Sequence, residues 1–139
     1  MHCALDLLAR REHFQSELRT KLRQRGYDQS EIESAIDSAV EQGWQSEDRA
    51  CESYVRSRMQ KGFGPLKILS ELQQRQASAS LVQKWLPREE SAWQTVVEAV
   101  GAKKYGLEPG QRLEPKRLRA LLNRGFSHPL IASVYNLEF

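Results

Sequence analysis

Apolar residues recur along this chain at three- and four-residue steps, the spacing of one face of a helix. Ala4, Leu5 and Leu8 form a short first stripe, and Leu18 and Leu22 carry a second that ends at "RGY", where Gly26 suits a left-handed cap. Ser30 and Glu33 have capping-box spacing, and Ile32, Ala35, Ile36, Ala39 and Val40 then follow at i, i+3, i+4, i+7 and i+8. Gly43 and Trp44 close that helix, Ser46 caps the next, and Ala50, Tyr54, Val55 and Met59 line it up to Gly62. Pro65 opens a further helix, because its missing N–H has no partner to lose in a first turn, and Leu66, Leu69 and Leu72 with Ile68 supply its buried side. Leu81, Val82, Trp85 and Leu86 form a stripe ended by Pro87, and Trp93, Val96, Val97 and Val100 form one ended near Tyr105 and Gly106. Residues 106–114 read as a linker. Pro115 then opens a helix with Leu118, Leu121 and Leu122, stopped at Gly125, and Pro129 opens the last, with Ile131, Val134 and Tyr135. The pattern predicts about nine helices.

Between the fourth and fifth lies "GFGP", residues 62–65, which has the look of a phosphate-cradling loop. A dinucleotide fingerprint needs a third glycine where Lys67 stands, and a P-loop needs Gly-Lys followed by Ser or Thr. The stretch reads instead as helix end, turn and helix start.

A repeat of about 50 residues underlies the nine helices. Leu18, Leu22, Arg25, Ile32 and Ile36 fall, 50 positions on, at Ile68, Leu72, Arg75, Val82 and Leu86. A further shift of 49 takes Leu72, Arg75, Val82 and Leu86 to Leu121, Arg124, Ile131 and Tyr135. "RGY" at 25–27 returns as "RGF" at 124–126 and is degraded to "RQA" at 75–77. The expected architecture is all-α: three tandem three-helix units, at 1–45, 46–87 and 88–139.

Composition agrees, with 28% charged residues and only 8% aromatic. The net charge of +3 hides an alternation that follows the repeat. Residues 10–25 hold six basic and two acidic groups, 26–48 seven acidic and none basic, 49–75 six basic and two acidic, and 103–124 seven basic and two acidic. The positive patches cluster near the second helix of each unit, where Arg19 and Arg23, four apart, project together beside the inward Leu18 and Leu22. Pure phosphate binding favours a uniformly positive surface, so the acidic stretch points to a mixed-charge partner: protein, with nucleic acid nearby. No segment approaches the roughly 18 apolar residues of a membrane span, and none has the form of a secretory leader, so a cytoplasmic protein is expected. Cys3 and Cys51 stand far apart and the three histidines form no cluster, which implies reduced thiols and no metal or other cofactor.

Two stretches bring a family to the page. "LLARREHFQSELRTKLRQRGY" (7–27) and "GWQSEDRACESYVRSRMQKGFGPLKILSELQQR" (43–75) resemble the RecX family, bacterial regulators of the RecA recombinase. Arg11, His13, Glu17, Leu18, Lys21 and Leu22 match its R-x-H-S-x-x-E-L-x-x-K-L pattern, with Phe14 where Ser is usual and could cap with Glu17. Gly43, Arg49, Arg58, Lys61, Gly62, Gly64, Pro65, Ile68, Glu71 and Leu72 match in the same register. Ser46 and Glu47 replace a usual pair of Asp, and Ala50 and Cys51 a usual aromatic and small residue.

The resemblance implies a small, elongated, curved protein, a monomer that binds RecA or its filament on single-stranded DNA and inhibits ATP hydrolysis and strand exchange. Candidate contacts, chosen for charge and position, are Arg19, Arg23, Arg56, Lys67, Arg75, Lys116, Arg117 and Arg119. Arg11, His13, Glu17, Leu18, Leu22, Gly62, Gly64 and Pro65 are read as structural. The rival class is a stand-alone nucleic-acid-binding helical module, though no aromatic stacking platform accompanies the basic helices. An enzyme finds no support in residue spacing, the nearest candidate being His13 beside Glu12 and Glu17.

Overall fold

The computed structural model describes residues 2–138, and among them the helical periodicity resolves into nine helices. They are α1 (His2–Arg10), α2 (Gln15–Gln24), α3 (Gln29–Glu41), α4 (Glu47–Gln60), α5 (Pro65–Gln74), α6 (Ala79–Trp85), α7 (Glu90–Tyr105), α8 (Pro115–Asn123) and α9 (His128–Val134). Among the described residues the one β feature is an isolated bridge between Arg112 and Asn136.

The repeat is visible in the backbone at the end of each second helix. Gly26 donates to the Arg23 carbonyl and Tyr27 to Leu22; Gln76 to Gln73 and Ala77 to Leu72; Gly125 to Leu122 and Phe126 to Leu121. Each is the paired closure of a helix by a residue at positive φ, +91° at Gly26, +60° at Gln76 and +99° at Gly125. The degraded "RQA" copy therefore keeps the turn and places a glutamine in the left-handed region.

The chain forms two compact units, Met1–Tyr54 with Leu72–Val82, and Val55–Glu71 with Gln83–Phe139. In the first, α1, α2 and α3 pack on one another over Ala4, Leu7, Leu18, Leu22, Ile32, Ala35 and Ile36. Each fully buried aliphatic side chain contributes about 1.5–3 kcal/mol, so this cluster outweighs any surface ion pair in the unit. Phe14, at the α2 N-cap, is 1% exposed and meets Tyr54 edge-on at 6.2 Å. A phenyl ring cannot accept a hydrogen bond, but Glu17 Oε1 accepts from the Phe14 amide at 3.0 Å, which preserves half of a capping box. In the second unit, α7 and α9 pack around Trp93, Val97, Val100, Ile131 and Val134, with Leu121 and Phe126 also buried.

Four local expectations are corrected. Asp28 rather than Ser30 caps α3, exchanging hydrogen bonds with Glu31 at 2.8 and 3.1 Å; both types make good caps, and the one nearer the turn wins. Val40 and Leu66 keep apolar spacing yet are 44% and 57% exposed, since the core meets the neighbouring faces of their helices, through Ala39 and Ile68, and not theirs. In α1, Leu7 is buried while Leu5 and Leu8 are only partly so. Residues 106–114 are no loose linker: Leu107 and Leu113 are buried, and Gly110 and Leu113 donate to the Val134 and Asn136 carbonyls at 2.7 and 2.8 Å.

Candidate partner-binding faces

The start of α2 fixes its basic face. His13, 1% exposed, holds the Arg11 carbonyl with Nδ1 and the Lys21 ammonium with Nε2, each at 3.0 Å. A carbonyl only accepts and an ammonium only donates, so the ring is neutral with its proton on Nδ1. Burial pushes the His13 pKa below 6.5 and also lowers that of Lys21. Both ring nitrogens are thus engaged. Burial would raise the Glu17 pKa, but the hydrogen bonds from Arg11 at 3.0 Å and from the Phe14 amide outweigh it, and the carboxyl titrates below its ordinary value.

Arg75, at the turn after α5, lies 3.7 Å from Glu17 and stacks over the Tyr54 ring at 4.5 Å, while its carbonyl accepts from the Ser16 hydroxyl. These contacts bring Arg75 beside α2. Arg19, Lys21, Arg23 and Arg75, with Glu17, line an open cleft of about 470 Å³. Arg19 is forked onto Glu33 of α3 at 2.9 and 3.2 Å, in a pair about one-third exposed on both sides. Exposed pairs of this kind contribute about 0–1 kcal/mol, so Arg19 can exchange Glu33 for a partner carboxylate or phosphate at small cost. Behind it Glu33, Asp37 and Glu41 line a shallow acidic surface on α3.

The other sequence-predicted contacts are not in this cleft. Arg56 is exposed on α4. Lys67, in the first turn of α5, has its ammonium 5.1 Å from the Phe63 ring. On α8, Lys116 and Arg119 are exposed, whereas Arg117 lies over the Tyr105 ring at 4.7 Å. Of the residues read as structural, Leu18 and Leu22 are core, Arg11 pairs with Glu17, and Gly62, Gly64 and Pro65 build the α4–α5 joint. Gly62 has φ +85°, and a Cβ on Gly64 would stand 2.5 Å from the Gly125 carbonyl group.

The sequence reading missed a second cleft, of about 430 Å³, where Lys61, Lys103, Lys104 and Arg124 surround an aliphatic floor. Its one local signal is the adjacent pair Lys103 and Lys104, which lies outside the second helices. Burial raises the Cys51 thiol pKa to about 11, consistent with a packing role for that side chain.

Helices closed by recurrent Arg-led turns define a helical-repeat protein. Family comparison agrees on the type of repeat. Residues 1–38 match the first three-helix domain of RecX and 46–86 the second. The regulatory protein RecX of Pseudomonas entomophila is 42% identical over 92% of this chain and 84% of its own, and that of Haemophilus ducreyi 34% over 95% and 87%. The chain belongs to the RecX family. A crystal structure of regulatory protein RecX superposes with a TM-score of 0.72 at 19% identity over 94% of this chain and 68% of the other. That of RecX from Lactobacillus salivarius gives 0.68 at 20% identity, over 95% and 89%. Both share the all-α fold.

Proposed function

We propose that this chain binds RecA or its filament on single-stranded DNA and inhibits its ATPase and recombinase activities, without chemistry of its own. Membership of a family of regulatory proteins carries the reading. It is supported by the α2 cleft, in which Arg19, Arg23 and Arg75 present cations beside the acidic surface of α3. A partner whose surface carries both protein and phosphate would meet both signs of charge. Arg56, Lys67, Lys116, Arg117 and Arg119 extend the proposed contact set, distributed over repeats at 1–45, 46–87 and 88–139. The same reading makes the protein a cytoplasmic monomer that needs no cofactor.

The test adds the purified protein to RecA on single-stranded DNA and follows ATP hydrolysis and filament length. Inhibition is expected; no change at several-fold excess over RecA overturns the proposal. Arg19→Glu with Arg23→Glu should weaken inhibition by about tenfold, roughly the worth of two reversed interfacial charges, with helical circular dichroism unchanged. Tight binding to DNA in the absence of RecA, falling steeply with salt, would instead favour a nucleic-acid module.

A further inference from the structure

The second cleft lies wholly within one unit and owes its shape to the α4–α5 joint. Gly62 approaches α7 so closely that an added Cβ would sit 2.6 Å from Val100, and its φ of +85° already excludes most side chains. The floor is formed by Met59, Val96, Ala99 and Val100. Lys61, Lys103 and Lys104 stand exposed around it, and Arg124 is held in place by donating to the Lys61 and Gly62 carbonyls at 3.2 Å. No carboxylate lines the cleft among the described residues. The result is an aliphatic strip bordered by four cations.

Two chemistries satisfy such a border, phosphates and carboxylates, and the floor distinguishes between them. A single strand is gripped by stacking its bases on exposed aromatic rings. The one aromatic side chain here, Phe63, has Arg58 over its ring at 3.8 Å and Arg124 and Lys67 at 5.0 and 5.1 Å, so cations already occupy it. What remains is a surface for an aliphatic side chain flanked by negative charge. The geometry points to a docking site for an acidic peptide segment of a partner protein, with a leucine-like side chain on Met59, Val96 and Ala99 and Asp or Glu residues against Lys61, Lys103 and Lys104. This goes beyond the proposed function, because it concerns a site outside the predicted contact set and a ligand defined by chemistry alone.

The test uses neither RecA nor DNA bound to it, so its failure is distinct from failure of the regulatory reading. A fluorescein-labelled peptide rich in Asp and Glu with one central leucine is titrated with the full chain, beside its leucine-to-serine form and labelled oligothymidylate. The leucine peptide should bind, and weaken as salt rises, since exposed charges are screened beyond about 10 Å at 0.1 M. The serine form should bind several-fold more weakly. Lys103→Glu with Lys104→Glu should cost about tenfold, whereas reversal of Arg10 and Arg25, exposed in the other unit and outside the proposed contact set, should change it much less. Ala99→Glu, on an exposed position of α7, should also abolish the leucine dependence without loss of helicity. Oligothymidylate binding that is lost on the same reversals while the peptide does not bind would overturn the proposal, as would peptide binding indifferent to Lys103 and Lys104, or no binding by either probe.

Discussion

Two turns of one sequence type dock on helix starts by opposite means. In the second unit, Arg124–Phe126, the turn after α8, meets the start of α5 backbone to backbone: Gly64 donates to the Arg124 carbonyl at 2.8 Å and Leu66 to that of Gly125 at 3.1 Å. In the first, 75–77, the turn after α5, meets the start of α2 through side chains. Ser16 donates its hydroxyl to the Arg75 carbonyl, and Arg75 reaches Glu17 and the Tyr54 ring. Position 64, which must be bare, corresponds to Phe14, which is large and buried; position 125, a glycine, corresponds to Gln76. Repetition has kept the docking and exchanged the force behind it. One contact depends on the absence of side chains, the other on charge and ring stacking.

The glycine contact should break most severely. In Gly64→Ala the new Cβ would lie 2.5 Å from the Gly125 carbonyl carbon and oxygen and 2.6 Å from the Phe126 amide, none of which is the end of a flexible side chain. Overpacking of this kind costs about 1–3 kcal/mol, and loss of the two docked backbone hydrogen bonds would add to it, so a loss of about 3 kcal/mol is expected from urea unfolding. An unchanged midpoint would mean that the turn slides aside freely and that the backbone contact is incidental.

The charged contact should yield to pH and to a smaller change. Glu17→Gln keeps the shape but removes the partner of Arg11 and Arg75, and should cost about 1–3 kcal/mol. The Glu17 carboxyl is held below 4.5 in the fold, so as pH falls through that range the unfolded chain takes up the proton first and stability is lost. His13, held below 6.5, acts with the same sign: neutral in the fold, it adds a further loss as pH drops under 6.5. Chemical unfolding across acid pH should therefore show a decline that flattens in Glu17→Gln below 4.5 and persists between there and 6.5. The amide-to-carbonyl bonds of the glycine contact carry no titrating group and should not contribute to that slope.

Much of this was legible in the chain because turns carry chemistry. "RGY", "RQA" and "RGF" announce the three closures, and Pro65, Pro115 and Pro129 mark helix starts where the structure has them. Helical spacing says which side chains share a face but not how wide the buried stripe on it is, which is why Val40 and Leu66 are exposed while Ala39 and Ile68 are buried. Leu107 and Leu113 were unreadable for a related reason: two isolated leucines among Gly, Pro and charge have no period, and only their burial and their amides' bonds to the Gly101 and Asn136 carbonyls reveal their anchorage. The cleft at Lys61, Lys103, Lys104 and Arg124 joins segments some 40 and 60 residues apart, a proximity no local pattern encodes. Arg75, by contrast, could be placed among the candidates by its charge and its position beside a second helix.

The smallest effect tests whether the two turns are still one device. Gln76 holds φ +60°, a conformation that costs a residue with a Cβ roughly 1 kcal/mol and costs glycine nothing. Its side chain is exposed, so replacement removes little packing. Gln76→Gly should accordingly stabilise the chain by about 0.5–1 kcal/mol, offset in part by the greater freedom of glycine in the unfolded state. Urea midpoints of the two proteins, measured side by side at neutral pH, would detect the gain. A loss instead would mean that the Gln76 side chain has become part of the charged contact, and that the first turn no longer tolerates the glycine its two relatives require.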